Sequence, residues 1–205
     1  MNAKTNTKMK IVENAFYEVI NHIGSHPAES GGALFGTEDD YVIRRFIPDN
    51  NAKTTRVTYT INTDYLNPVI KKLWKEEGLS LLGIVHSHPN GYSSLSGPDM
   101  RYFSKLLSGI KRERFYAPIV FSVPDGGFKF FPHVLSADGR NYQTGAIEIV
   151  QDEDYSDDIY RALNINATTK AGNKKAKQED PFLEAFLIAW ITGMVISISI
   201  IVLSH

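Results

Sequence analysis

Helix-like and strand-like segments alternate through the first 150 residues, and this intermixing predicts an α/β sandwich around a mixed sheet. Two observations sharpen it. LSLLGIV (79–85) is a continuous apolar run of strand length, as expected of a strand covered on both faces. Helix-like patterns at 12–24, 64–77 and 98–107 lie between the strand-like segments and would cover the sheet.

In chain order, Val12, Phe16, Val19, Ile20 and Ile23 recur at helical spacing, and Gly24 suits the end of that helix. ESGGALFG (29–36) is a short apolar run whose glycines let backbone approach backbone. YVIRRFIP (41–48) and RVTYTI (56–61) alternate β-branched and aromatic residues and read as strands. The helix over 64–77 has Asn62, Thr63 and Asp64 as candidate N-caps. Pro98 is preset for the start of the third helix. APIVFSV (117–123) and GFKFFPHVL (127–135) read as two further strands, and Trp74, Phe128, Phe130 and Phe131 as core.

Composition divides the chain into a domain over 1–150, a charged linker over 151–180 and an apolar tail over 181–205. Lys plus Arg number 22 against 23 Asp plus Glu, so the balance carries no signature of a nucleic-acid binder. Cysteine is absent, which rules out disulfides, cysteine nucleophiles and thiolate zinc sites. Any metal must therefore sit on His, Asp, Glu and water. The polar first ten residues do not read as a signal peptide. The tail differs: residues 185–203 (AFLIAWITGMVISISIIVL) are 19 in a row without a charge. As a helix they would span roughly 28 Å, close to a bilayer's hydrocarbon core, so they read as a single-pass C-terminal transmembrane anchor. Lys170, Lys174, Lys175 and Lys177 precede it, which predicts a cytoplasmic domain. Ala189, Gly193 and Ser197 recur every four positions and would let two tail helices pack as a homodimer.

The chemistry concentrates in HSHPNGYSSLSGPD (86–99). His86 and His88 are two apart after a buried strand, and in extended backbone both imidazoles point to one side. Asp99 would join them from the first turn of the next helix. Two imidazoles and one carboxylate suit zinc and leave a fourth position for water, which distinguishes a catalytic from a structural site. Ser96 with Asp99 also matches a helix-start pattern whose ordinary role is to satisfy backbone donors, and the two roles of Asp99 are compatible. His22, His26 and His133 have no companions at ligand spacing and receive no metal role.

The same stretch resembles the H-[ST]-H-P-x6-S-x-x-D signature of the JAMM (JAB1/MPN/Mov34) metallopeptidases, and ESGGALFG resembles the segment that supplies their catalytic glutamate. The resemblance covers about residues 10–135. It implies a three-layer α/β/α sandwich of the cytidine-deaminase-like type and one Zn2+ per chain on His86, His88 and Asp99. By the same match Glu29 is the general base and Ser96 binds the oxyanion. Related repair-type proteins carry Asn between the histidines and Pro before the serine; Ser87 and Leu95 stand there, which favours the peptidase branch. The implied substrate is the bond after the C-terminal glycine of a ubiquitin-like protein. Long insertions of the kind that select polyubiquitin linkages are lacking, as in compact prokaryotic members.

Two rival readings remain to be weighed. A non-catalytic scaffold of the same fold would bind a ubiquitin-like partner, but such members usually lack part of the Glu, His and Asp set that this chain retains. A zinc deaminase would need H-x-E and P-C-x-x-C, and the absence of cysteine defeats it.

Overall fold

The computed structural model describes residues 7–24, 30–50, 52–54, 58–88, 91–110, 112–123, 127–151 and 198–199. Strand β1 (Lys8–Val12) runs straight into helix α1 (Glu13–Ile23). Strands β2 (Gly31–Gly36) and β3 (Val42–Pro48) pair antiparallel, followed by the short pair β4 (Lys53–Thr54) and β5 (Thr58–Thr60). Helix α2 (Thr63–Glu77), strand β6 (Ser80–Ser87) and helix α3 (Gly97–Gly109) make the centre of the domain. Then come β7 (Arg114–Tyr116), β8 (Ile119–Ser122), β9 (Phe128–Phe131), β10 (His133–Ser136), β11 (Tyr142–Thr144), β12 (Ala146–Val150) and, in the tail, β13 (Ile198–Ser199).

The helices start and stop where local chemistry dictates. Asn62 caps α2 by accepting the Tyr65 N–H at 3.0 Å, and Gly78 closes it in the left-handed region at φ 71°. Ser96 opens α3 with a reciprocal capping box to Asp99. Helix α1 buries Ala15, Val19 and Ile23, a stripe at four-residue spacing.

The main sheet has the order β11-β10-β7-β6-β2-β3-β1-β12, with β8 attached to β6 and β9 to β8. Parallel pairs (β1 with β3 and β12, β6 with β7 and β8) mix with antiparallel ones, as expected. Its two ends are almost one strand. Gly145 separates β11 from β12, donating its own N–H to the Pro132 carbonyl while Ala146 donates to Thr7 on the opposite side. A Cβ at Gly145 would stand 2.0 Å from the Thr7 oxygen, so only glycine fits this crossing.

Apolar side chains cover both faces. One face carries Ala33, Phe35, Leu81, Ile84 and Ile119 under Leu66, Ile70 and Leu73 of α2 and Phe103 and Leu106 of α3. The other carries Leu34, Ile43, Leu82, Val85 and Val120 under α1. A register shift explains why Leu81 and Ile84 share a face: Leu34 pairs with Gly83 but Phe35 with Leu81, so Leu82 is an extra residue. The result is the α/β sandwich around a mixed sheet that the alternation of segments predicted, in the three-layer form that the resemblance implied.

Several elements depart from expectation. Strand β1 was not anticipated, although buried Met9 and Ile11 alternate with exposed Lys8 and half-buried Lys10. Strands β7, β11 and β12 were not anticipated as separate elements either. GFKFFPHVL is two strands, not one, because Pro132 cannot donate to a ladder. Trp74 is only half-buried, and Phe128 is exposed while Phe130 and Phe131 pack against the two cores. Of the apolar run over 185–203, only Ile198 and Ser199 are among the described residues, and they are extended and antiparallel to β5. The rest of the expected tail helix lies outside the described residues. Among the described residues no helix is long and apolar enough to cross a membrane.

Candidate metal centre

Strand β6 is buried along its whole length and ends at the chemistry. It delivers His86 from its penultimate position, and His88 follows immediately after Ser87. The β2–β6 register sets Gly31 opposite His86. A Cβ at Gly31 would collide with the Tyr59 ring at 2.6 Å and the Val85 carbonyl at 2.8 Å, so the close approach expected of ESGGALFG is real. Asp99 comes from the first turn of α3, whose start the Ser96 capping box fixes.

These three side chains converge as the sequence predicted. The Nε2 atoms of His86 and His88 are 2.9 Å apart, and they lie 3.6 and 3.3 Å from the two Asp99 carboxylate oxygens. All three residues are buried, with ligand atoms within 4.8 Å of one another. Ligands about 2.0–2.1 Å from a tetrahedral zinc ion would be separated by about 3.3 Å, and the three distances bracket that value.

The donor set also fits chemically. The His88 Nδ1 lies 3.0 Å from the Tyr92 carbonyl, an acceptor only, so that nitrogen carries the proton and Nε2 presents its lone pair to the group. Burial, reinforced by His86, pushes His88 below the usual histidine range and favours the neutral ligand form. Burial alone would raise Asp99, but His86, His88 and Ser96 together hold its carboxyl far below the usual range. Asp99 Oδ2 accepts the Ser96 N–H at 2.6 Å, whereas Oδ1 is buried without a hydrogen bond among the described residues. An ionised, half-unsatisfied carboxylate facing two imidazoles is what a bound cation would neutralise.

Ser96 sits beside the group, half-buried, with its Oγ accepting the Asp99 N–H at 3.2 Å. That bond uses the oxygen and leaves the hydroxyl hydrogen to donate elsewhere. Glu29, the expected base, lies outside the described residues. Its neighbour Ser30 is described and is bound to Ser87 on the metal strand. Sequence reasoning missed two residues that shape the site. His133 holds the Ser93 carbonyl at 2.6 Å, and Asp49 holds the Tyr59 hydroxyl at 3.1 Å beside Gly31. Neither has a partner at a spacing that a sequence pattern could reveal.

The model for prokaryotic homologs of the JAB domain matches residues 15–133. Among solved structures, a protein from Desulfitobacterium hafniense is similar at 19% identity and TM-score 0.54, over 71% of this chain and 94% of that one. A JAB1/MPN domain protein from Archaeoglobus fulgidus is 19% identical over 69% of this chain and 99% of its own, at TM-score 0.40. A protein from Salinibacter ruber is 20% identical, covering 71% and 92%, at TM-score 0.46. No curated protein matches the sequence.

Proposed function

Because the chain belongs to the family of prokaryotic homologs of the JAB domain, we propose that its His86–His88–Asp99 group is the zinc centre of a peptidase acting after the C-terminal glycine of a ubiquitin-like protein. The observation that carries the reading is the buried convergence of two imidazoles and one carboxylate. A zinc ion held there would polarise the scissile carbonyl and bring the pKa of bound water to about 7. The chain's own groups supply the rest. Glu29 would take the proton from water and return it to the leaving amine. The Ser96 hydroxyl hydrogen would donate to the developing oxyanion, its oxygen being held by the helix N–H. Strand β6 keeps His86 in place, and the capping box keeps Ser96 and Asp99 in place, before substrate arrives.

The substrate is a further step of the same proposal. Only a short connection separates α3 from β7, so no long insertion there would select a particular conjugate. The uncharged sequence over 185–203 supports a membrane tether and the lysines before it a cytoplasmic domain, an arrangement in which Ile198 and Ser199 would have to leave β5.

Purified protein should contain one zinc per chain and cleave a ubiquitin-like protein fused through its Gly-Gly end, and chelator should abolish both. Protein that binds zinc but leaves every such fusion intact supports the scaffold reading instead. Fresh protein without zinc would overturn the metal centre itself.

A further inference from the structure

Two histidines grip adjacent carbonyls of the loop between the metal ligands. His88 donates from Nδ1 to the Tyr92 carbonyl at 3.0 Å, and His133 lies 2.6 Å through Nε2 from the Ser93 carbonyl. A carbonyl only accepts, so His133 carries its proton on Nε2, and its Nδ1 then accepts the Thr144 hydroxyl at 3.0 Å. Thr144 therefore selects the tautomer that can hold the loop. The ring is buried, stacked on Phe131 at 6.4 Å and edge-on to Tyr142 at 4.8 Å, so it has little room to turn. Burial also pushes its pKa down, which keeps the neutral tautomer in place at pH 7.

We propose that His133 is a positioning residue of the metal centre, acting on His88 through the Tyr92–Ser93 carbonyl pair, with Thr144 fixing its tautomer. The loop is pinned from β10 on one side and from the ligand on the other. Its Tyr92 carbonyl is the group that commits His88 Nε2 to the metal. Release of Ser93 lets that carbonyl drift, and the His88 ring loses both its orientation and its preference for the Nδ1–H form. The proposal rests on reading His86, His88 and Asp99 as a metal site.

The test uses the full chain in detergent and two variants. His133→Phe keeps the aromatic packing and removes the donor; Thr144→Val leaves His133 in place and removes only an exposed hydroxyl. Zinc affinity, measured by competition with a chromogenic chelator, should fall about tenfold or more in His133→Phe and less in Thr144→Val. Imidazole 15N spectra of the metal-free protein should show His88 as one Nδ1–H tautomer in the parent and as a mixture in His133→Phe. A merely structural histidine would lower thermal stability without moving that tautomer. Unchanged zinc affinity and an unchanged His88 tautomer in both variants would overturn the proposal. If the parent binds no zinc, the metal reading fails by itself, and the His88 spectrum still decides the role of His133.

Discussion

Ser87 and Ser30 hold each other three times: the Ser87 N–H donates to the Ser30 carbonyl at 2.8 Å, the Ser30 N–H donates to the Ser87 Oγ at 2.8 Å, and the Ser87 hydroxyl donates to the Ser30 carbonyl at 3.4 Å. The residue between the two histidines is thereby fastened to the peptide that follows position 29. Ser87→Ala leaves the Ser30 N–H without its acceptor, and stability should fall by on the order of 1–3 kcal/mol in chemical denaturation. Ser87→Thr keeps the hydroxyl and should recover most of the loss. Equal losses in both would show that packing, not the hydroxyl, matters at this position.

His88→Ala should empty the metal centre, since two remaining ligands cannot hold an open tetrahedral ion. Metal analysis of the purified variant reads this directly. A variant that retains one zinc per chain would remove His88 from the ligand set.

Glu29→Gln keeps shape but cannot shuttle a proton, so it should retain zinc while cleavage of a Gly-Gly fusion falls roughly 10²–10⁴-fold. Ser96→Ala should cost about 10²-fold for one lost oxyanion donor. It also removes a helix cap, about 0.5–2 kcal/mol of stability, so rates are compared well below the melting temperature. Full activity in Glu29→Gln would disprove its role as the base.

The Asp49 carboxyl is buried, and burial raises its pKa despite the Asn62 N–H at 2.7 Å and the Tyr59 hydroxyl. The folded state then binds this proton more tightly than the unfolded chain does. Stability from this group is present below the ordinary carboxylate range and is lost as pH rises through the folded pKa. The parent should therefore lose stability relative to Asp49→Asn between acidic and neutral pH. Paired denaturation curves at several pH values check the sign, and a parallel pair of profiles would mean that Asp49 titrates normally.

The legible parts of this fold were those with local causes. Strand β6 showed itself by its apolar run, α2 by Asn62 and α3 by Ser96, Pro98 and Asp99, all within one helical turn of what they organise. The metal group was legible for the same reason, because a strand end and a helix start put His86, His88 and Asp99 within fourteen positions. Strand β1 hid behind its lysines: Met9 and Ile11 alternate with Lys8 and Lys10, and the pattern is too short to outweigh the polar start. Strands β11 and β12 have no fully buried side chain, and each owes its existence to one neighbour, β10 for β11 and β1 for β12. The grip of His133 on Ser93 joins residues 40 apart, and nothing near either in the chain signals it.

A tether implies a further separable property. Full-length protein should pellet with membranes and resist alkaline extraction, whereas a form ending near residue 176 should stay soluble and keep its activity. That truncation also removes β13, so its melting temperature shows whether the pairing with β5 contributes to the domain. Full-length protein that is monodisperse without detergent would eliminate the anchor.

The crossing at Gly145 sets the boundary of the smallest piece of chain that can fold alone. The family match stops at residue 133, but β11 still has to pair with β10, and β12 with β1. A fragment cut at the end of the match would lose nearly all of β10 as well, leaving the backbone groups of Lys8–Val12 and of β7 as two bare edges, each a template for another copy of the chain. Such a fragment should form aggregates rather than a weaker enzyme. Keeping seventeen more residues, through Val150, restores β10 beside β7 and lays β12 beside β1, which covers both.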